Sequence, residues 1–419
     1  MSLDVMSELI AHVAARLPTG GAKRLGVAVS GGGDSLALLR LLHQICGDRD
    51  IKLICLTVDH GLRTEAREEA ETVAKRCVEL GIVHQLLVWQ GWDGAGNVQN
   101  AARQARYALM TAWAKENDID TIALGHTQDD QAETVLMRLA RGAGVDGLSA
   151  MAPTRRQDGI LWIRPLLNVS RAELRDYLRS HSETWAEDPS NEDTRYERIK
   201  TRQILDQLSV LGIDRAVLGH VAGKMQSVRR ALEHQTEAAA KNCVRVEAGG
   251  LSINWDVFSA LPEEISRRLL VAGLKWIAGT VYAPRHKSIE TALQAVQQGK
   301  RTTLEGCVLA RKDKILWVHR EFNAVRHLKS PPGSLWDDRW QVIGPEDDAA
   351  VHIAALGEAG LGACSDWRDT KLPRALLLAS PAVWKDDQLI AAPHAGKTEN
   401  WCVNLQKGET SYFDTLISH

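Results

Sequence analysis

Residues 25–35 restrict the fold more than any other stretch of this chain. The apolar run Leu25-Gly26-Val27-Ala28-Val29 is short enough for a buried strand and leads directly into Ser30-Gly31-Gly32-Gly33-Asp34-Ser35, after which Leu36, Leu39 and Leu42 recur at helical spacing. Strand, glycine turn and helix in immediate succession predict a crossover unit of an open α/β sheet. The glycines let the backbone approach an anion closely, and the N–H groups at the helix start, with the Ser30 and Ser35 hydroxyls, can donate to phosphate oxygens. A Walker loop would need Gly-x-x-x-x-Gly-Lys-Ser/Thr and a dinucleotide fingerprint a different glycine spacing, so neither applies. A plain tight turn of small residues is the rival reading, and the strand and helix on either side argue against it.

Downstream the alternation repeats. Short apolar runs at residues 53–58, 82–88, 121–124 and 160–163 are interleaved with segments of helical period at 35–44, 64–80, 98–116 and 129–141. Such spacings suit right-handed crossovers between parallel strands. Ser170-Arg171-Ala172-Glu173 has the Ser-x-x-Glu form of a capping box ahead of Leu174, Tyr177 and Leu178, so a further helix begins there. After about residue 205 the alternation stops. Residues 228–241, rich in Ala, Arg, Glu and Gln, favour helix, and mainly helical chain is expected to about residue 298. Residues 302–310 and 315–318 flank Lys312-Asp313-Lys314 and read as a hairpin. Ser330-Pro331-Pro332-Gly333-Ser334 suits neither a helix interior nor a central strand and reads as a linker. The expected organisation is an α/β parallel-sheet domain at residues 1–210, a mainly helical domain at 211–329 and a small mixed domain at 335–419.

The chain has 419 residues, enough for two or three separate cores, and its 51 basic against 53 acidic residues leave it nearly neutral. A nucleic-acid partner would have to be met by local basic groups. Lys200, with Arg198 and Arg202, forms one run; Arg285, His286, Lys287, Lys300, Arg301, Arg311 and Lys312 supply others. Trp336 and Trp340 are read as packing residues, with base stacking the alternative. The seven cysteines are widely spaced and include no Cys-x-x-Cys pair, which suits reduced, structural thiols. Met1-Ser2-Leu3-Asp4 has no signal-peptide character and no run of about 18 apolar residues occurs, so a cytoplasmic location without membrane contact is expected. The sequence signals no protein partner.

Ser-Gly-Gly-x-Asp-Ser resembles the pyrophosphate loop of the N-type ATP pyrophosphatases, the PP-loop superfamily, which adenylate a carbonyl-like oxygen and release pyrophosphate. Further segments narrow the resemblance. Val58-Asp59-His60-Gly61-Leu62-Arg63, then residues 97–107 with Arg103 and Arg106-Tyr107, then Gly125-His126-Thr127-Gln128-Asp129-Asp130-Gln131-Ala132-Glu133-Thr134 and Arg141-Gly142-Ala143-Gly144-Val145-Asp146-Gly147-Leu148 are similar to the tRNA(Ile)-lysidine synthetase family. Arg164-Pro165-Leu166-Leu167 and Asp188-Pro189-Ser190-Asn191 extend the match, which is collinear over about residues 24–205 and weaker beyond. One departure stands out: where the family has Arg-Asn-x-aliphatic-Arg, this chain has Arg198-Ile199-Lys200-Thr201-Arg202.

The resemblance implies ATP-dependent ligation of free L-lysine to the wobble cytidine of an isoleucine tRNA, through an adenylated cytidine, with ATP and Mg2+ as cofactors. Ser30, Gly31, Gly32, Gly33, Asp34 and Ser35 would hold the nucleotide phosphates, with Asp59 and His60 touching adenosine or substrate. Asp34 would hold the metal or orient the loop, against the plainer role of capping the following helix. His126, Asp130 and Glu133 follow a strand end, where open α/β folds bind ligands, and on a helix their offsets of four and three would share one face. Asp130 would bind magnesium or accept a proton from the attacking amine, with His126 as the second candidate base. Arg103 and Arg106 would clamp phosphate or the cytosine edge, and Glu133, Arg198 and Arg202 complete the substrate-binding set. Asp129 fits a helix-dipole role better.

Two rivals stay open on these residues. A thiolating tRNA enzyme of the same superfamily would require paired cysteines for sulfur transfer, which the sequence lacks. A non-catalytic tRNA-binding protein with a degenerate ATP site would bind tRNA without ATP turnover.

Overall fold

A computed structural model describes residues 3–18, 23–61, 65–89, 98–185, 197–280, 282–345 and 350–417. The chain divides into two compact units, Met1–Arg229 and Arg230–Ser418.

The first unit alternates strand and helix. After α1 (Leu3–Ala14), which the sequence reading did not include, β1 (Arg24–Ala28), α2 (Gly33–Asp48), β2 (Lys52–Asp59), α3 (Glu65–Glu79), β3 (Val83–Val88), α4 (Val98–Glu116), β4 (Thr121–Leu124) and α5 (Gln128–Leu139) follow the expected order closely. After them come α6 (Val145–Leu148), β5 (Thr154–Gln157), β6 (Ile160–Ile163), α7 (Arg171–Ser180), α8 (Glu197–Leu208) and α9 (Arg215–Cys243). The strand order is β3-β2-β1-β4-β6-β5, parallel except for the edge hairpin β5–β6. The four apolar residues of β1 beyond Arg24, and all four of β4, are buried, as both-face burial of a central parallel strand requires. One core, centred on Leu38, Leu41 and Leu42 of α2, covers one face; a second, with Met110, Trp113 and Trp162, covers the other.

The order reverses between β1 and β4. Chain leaving β1 turns into α2 and on to β2 on one side, whereas β4 lies on the other, so the loops after these two strands part and leave a crevice at their carboxyl ends. Two glycines permit the local packing there. Gly31 takes φ +88°, and a Cβ on it would stand 3.2 Å from Cβ of Glu69. A Cβ on Gly125 would stand 3.1 Å from Cα of Ser35, which holds the loop after β4 against the start of α2.

The second unit has β7 (Val244–Glu247), β8 (Gly250–Asn254), α10 (Trp255–Ser259), α11 (Glu263–Ala278), α12 (His286–Gln297), β9 (Thr302–Leu304), β10 (Cys307–Lys312) and β11 (Ile315–Arg320). There follow α13 (Phe322–Val325), β12 (Lys329–Ser330), β13 (Leu335–Trp336), β14 (Trp340–Ile343), β15 (Val351–Ala355), α14 (Gly357–Gly362), α15 (Arg374–Leu378), β16 (Pro381–Lys385), β17 (Gln388–Ala391), β18 (Cys402–Leu405) and α16 (Glu409–Ile417). Its sheets are ordered β7-β8-β11-β10-β9, β12-β15-β16-β17 and β13-β14-β18, all antiparallel.

The hairpin β7–β8 interrupts the mainly helical stretch expected to residue 298. Val244, Val246, Leu251 and Ile253 alternate with polar residues across Ala248 and Gly249, both at positive φ, which is hairpin chemistry that helix propensity upstream concealed. The stretch 302–310 is likewise two strands, β9 and β10, turned at Glu305 and Gly306. Trp336 and Trp340 are buried with Trp401 in one core, so they pack. No helix among the described residues is long and apolar enough to cross a membrane.

α9 contributes Leu218 and Ala222 to a core with Ala132, Val135 and Leu205, and Ala240 and Cys243 to the main core of the second unit. α5 begins at Thr127, whose side chain accepts from the Asp130 N–H while the Asp130 carboxylate accepts from the Thr127 N–H and hydroxyl, at 2.9 and 3.0 Å. Thr127→Ala should lower stability by about 1–2 kcal/mol and Thr127→Ser by much less, measured as urea midpoints; equal midpoints for wild type and Thr127→Ala would refute this account of the cap.

Candidate active site

Three loops meet at the carboxyl ends of β1, β4 and β6. From β1 comes the glycine turn: the Ser30 N–H donates to Ser35 Oγ at 3.2 Å, and Ser35 Oγ donates back to the Gly32 carbonyl at 2.9 Å. These bonds fold the turn upon itself, with Gly32 as N-cap of α2 and, among the described residues, no side-chain hydrogen bond at that cap. Unsatisfied N–H groups at a helix start, preceded by glycine, are what an oxyanion of phosphate needs.

From β4 come His126 and the first turn of α5. His126 lies just before the Thr127 cap rather than on the helix, so only Asp130 and Glu133 share the α5 face. From β6 comes Arg171, the first residue of α7. Its guanidinium reaches all three acidic groups: Nε donates to Asp34 at 3.1 Å, Nη2 to Asp130 at 2.5 Å and Nη1 to Glu133 at 2.9 Å. Arg202 of α8 also donates to Glu133, at 2.6 Å. Glu133 is 1% exposed, and among the described residues its Oε1 is paired with both guanidinium groups.

These contacts set the electrostatics. Burial pushes the Asp34 carboxyl above the usual range; Arg171 opposes that and neighbouring Asp130 adds to it. For Asp130, burial also acts upward, but the Arg171 charge and the Thr127 N–H outweigh it and hold this carboxyl below the usual range. Burial opposes the Arg171 charge, yet Asp130, Glu133 and Asp34 together raise its pKa above that of an ordinary arginine. His126 is driven down to about 3 by burial and by the charge of Arg164, so it is neutral at physiological pH. Its Nδ1 has no hydrogen-bond partner among the described residues.

A second, basic group lies on the His126 side, where Arg164, Arg106 and Arg103 each act on the imidazole charge. Arg106, half-buried, has no ion pair among the described residues, and Arg103 stacks over Tyr107 at 5.3 Å. Arg164 is buried and donates to the Ala152 carbonyl at 2.9 Å, and its Nε has no partner among the described residues. Acidic and basic groups thus flank one crevice, the chemistry expected where a cation, phosphates and a polar base edge are held together.

The structure brings Asp34, Asp130, Glu133 and Arg202 together, with the Ser30–Ser35 turn at the start of the helix that carries Asp34. Arg198 is exposed, and its charge acts on Asp130 from α8. Asp59 and His60 stand at the end of β2, one strand over from β1: Asp59 accepts the Gly61 N–H at 2.8 Å and the His60 ring meets Trp89 edge-on at 6.2 Å. Asp129 has a structural task, accepting the Arg171 N–H at 2.9 Å and pairing with Arg215 at 3.0 Å. Ile199 is buried and Thr201 bonds back to the Glu197 carbonyl at 2.8 Å, so neither departure from the family pattern leaves a polar group stranded. Asp188-Pro189-Ser190-Asn191 and Leu62-Arg63 lie outside the described residues.

Arg171 is the residue that sequence reasoning missed. The capping box around it explained the helix start and hid the oddity of a cation at the first helical position, where the dipole disfavours positive charge. That misfit was the available signal.

All seven cysteines are free, and Cys55 of β2 and Cys77 of α3 stand in the core of the first unit. Both are fully buried, which suits packing and not sulfur relay.

The family model described as a PP-loop domain matches residues 5–208. The tRNA(Ile)-lysidine synthase of Ruegeria pomeroyi is 47% identical over 412 residues, covering 98% of each chain. The protein of that name from Wolbachia pipientis wMel is 35% identical, covering 90% of each chain, and that from Bradyrhizobium sp. is 40% identical over 60% of this chain and 73% of its own. Because the likeness runs essentially end to end and not through the loop-bearing unit alone, the chain belongs to the tRNA(Ile)-lysidine synthase family.

Proposed function

We propose that this protein ligates free lysine to the wobble cytidine of an isoleucine tRNA in the cytoplasm, with ATP adenylating the cytosine carbonyl oxygen before the lysine amine displaces AMP. The observation that carries the reading is the convergence of Asp34 and Asp130 on one cationic position beside a helix start with free N–H groups. Such a pair suits magnesium, which is held by one or two carboxylates plus substrate phosphates and seldom by a closed protein cage. Asp34 and Asp130 would be the protein's share of its ligands. When bound, the ion would neutralise phosphate charge.

The protein's own groups divide the remaining work. The Ser30–Ser35 turn directs N–H and hydroxyl donors at phosphate oxygens. Asp130 acts as a cation ligand more than as a base, since a carboxyl held below the usual range gives up its proton too readily to accept one from an amine. The same reasoning lowers His126 as a base: with a pKa of about 3 it serves as a neutral hydrogen-bonding group for the cytosine edge or the sugar. Arg103 and Arg106 face phosphate or the base, Glu133 with Arg202 and Arg198 completes the substrate pocket, and Asp59 and His60 take the adenosine side. The domain carrying the turn, residues 1–210, would do the chemistry, while residues 211–329 and 335–419 would bind tRNA through exposed groups such as Arg285, Lys287, Lys300 and Arg301.

Purified protein incubated with unmodified isoleucine tRNA, radiolabelled lysine and ATP should place label at the anticodon; tRNA binding with no lysine-dependent pyrophosphate release would support the non-catalytic rival instead. Asp34→Ala should reduce pyrophosphate release at least ~100-fold while leaving tRNA binding within a few-fold, and retained turnover would remove Asp34 from the mechanism. Asp130→Asn should be comparably inactive with lysine and ATP both saturating. Because His126 stays neutral, the rate between pH 6 and 9 should show no inflection near 6.5; an inflection there that His126→Asn abolishes would restore it as the base.

A further inference from the structure

The geometry points to Arg171 as a built-in counter-ion that holds Asp34, Asp130 and Glu133 together and competes with a metal for Asp34 and Asp130 until the metal arrives with ATP. The inference rests on the metal-binding reading of Asp34 and Asp130 given above. It concerns a residue whose local sequence signals only a helix cap.

Three observations carry it. The guanidinium, carried on α7 after β6, uses its three donor directions on three carboxylates of two other helices, Asp34 of α2 after β1 and Asp130 and Glu133 of α5 after β4, at 3.1, 2.5 and 2.9 Å. A side chain serving only one helix would have no reason to span the loops after β1, β4 and β6. Next, the charge stands where it is least comfortable for α7, at the first helical residue, so the position is kept for the sake of the carboxylates. Last, the anchoring is uneven. Among the described residues Glu133 is held from two sides, by Arg171 Nη1 and Arg202 Nε, whereas Asp34 is bound by Arg171 Nε and Asp130 by Arg171 Nη2 and its own cap. A cation arriving at Asp34 and Asp130 displaces two of the three bonds, and Glu133 retains the guanidinium at Nη1. Arg171 can then turn toward incoming phosphate without leaving the site. Free divalent metal must compete with a resident positive charge, so it binds poorly alone; phosphates bring ligands that tip the competition.

The test measures stability and metal affinity, not turnover. Thermal midpoints are taken in EDTA and in MgCl2, without nucleotide, for the full-length wild type, Arg171→Met and Arg171→Lys, and Mg2+ affinity is measured calorimetrically. Wild type should shift by no more than about 1 °C on adding MgCl2, whereas Arg171→Met should lie about 4–8 °C lower in EDTA and recover at least half of that loss in MgCl2. Its Mg2+ affinity should exceed that of wild type by at least about tenfold. Arg171→Lys, which keeps one charge but not the fork, should fall between. Adding Asp34→Asn and Asp130→Asn to Arg171→Met should raise the EDTA midpoint and remove the response to Mg2+. An Arg171→Met midpoint equal to wild type, or lowered equally with and without MgCl2, overturns the proposal, as does wild-type affinity for Mg2+ alone matching that of the variant. If Arg171→Met does not fold, the Mg2+ response of Arg171→Lys decides by the same criteria. Failure of the wild type to label tRNA with lysine would overturn the ligase reading while leaving these shifts to be judged by themselves.

Discussion

Like charges brought together away from water repel unless something of opposite sign is held among them, and the first unit is arranged around one such necessity. Asp34, Asp130 and Glu133 come from two helices that enter the crevice from different strands. Their coexistence depends on Arg171, and its position in turn depends on Asp129, which accepts the Arg171 N–H, and on the Gln128 N–H bonded to the Val169 carbonyl at 3.0 Å. Removing the guanidinium would leave buried carboxylates uncompensated, a far larger penalty than losing a surface ion pair. Adjacent aspartates thus divide labour: Asp129 fastens the helices and Asp130 faces the chemistry.

The fold supplies this meeting point through topology. A parallel sheet whose order reverses between β1 and β4 opens a crevice at that place, and every acidic group of the site stands on a helix following one of those two strands. The close approach of Gly125 to Ser35 sets how far apart the β1 and β4 loops can be, so side-chain positions follow from backbone contact between small residues. Around the chemistry, Gln131 exchanges two hydrogen bonds with the backbone of Met151, at 2.9 and 2.8 Å, and Arg138 donates to the Gly147 and Ala150 carbonyls. The loop between α5 and β5 is therefore tied to the same helix that carries Asp130 and Glu133.

Much of the first unit was legible because its signals are local. Both-face burial gives continuous apolar runs, glycines mark the phosphate turn, and capping boxes mark helix starts, so strands, helices and the crevice edge could be read in sequence. Arg171 could not be read that way, since its partners lie 137, 41 and 38 residues distant and no spacing rule connects them. The face shared by His126, Asp130 and Glu133 on a helix was expected because Thr127 had not been recognised as the cap, which leaves His126 before the helix. The hairpin β7–β8 was lost for the opposite reason: strong helix formers just before it extended a helical reading over a stretch whose alternation is only four residues long on each arm.

α9 runs for 29 residues and the division between the two units falls inside it, after Arg229. Its first half is packed through Leu218 and Ala222, its second through Ala240 and Cys243. A chain severed at that division would end or begin in mid-helix, with four carbonyls or four N–H groups stripped of their partners. Separating the two units would therefore place a new helix end within α9, whose exposed backbone groups would need capping or water in place of their present partners.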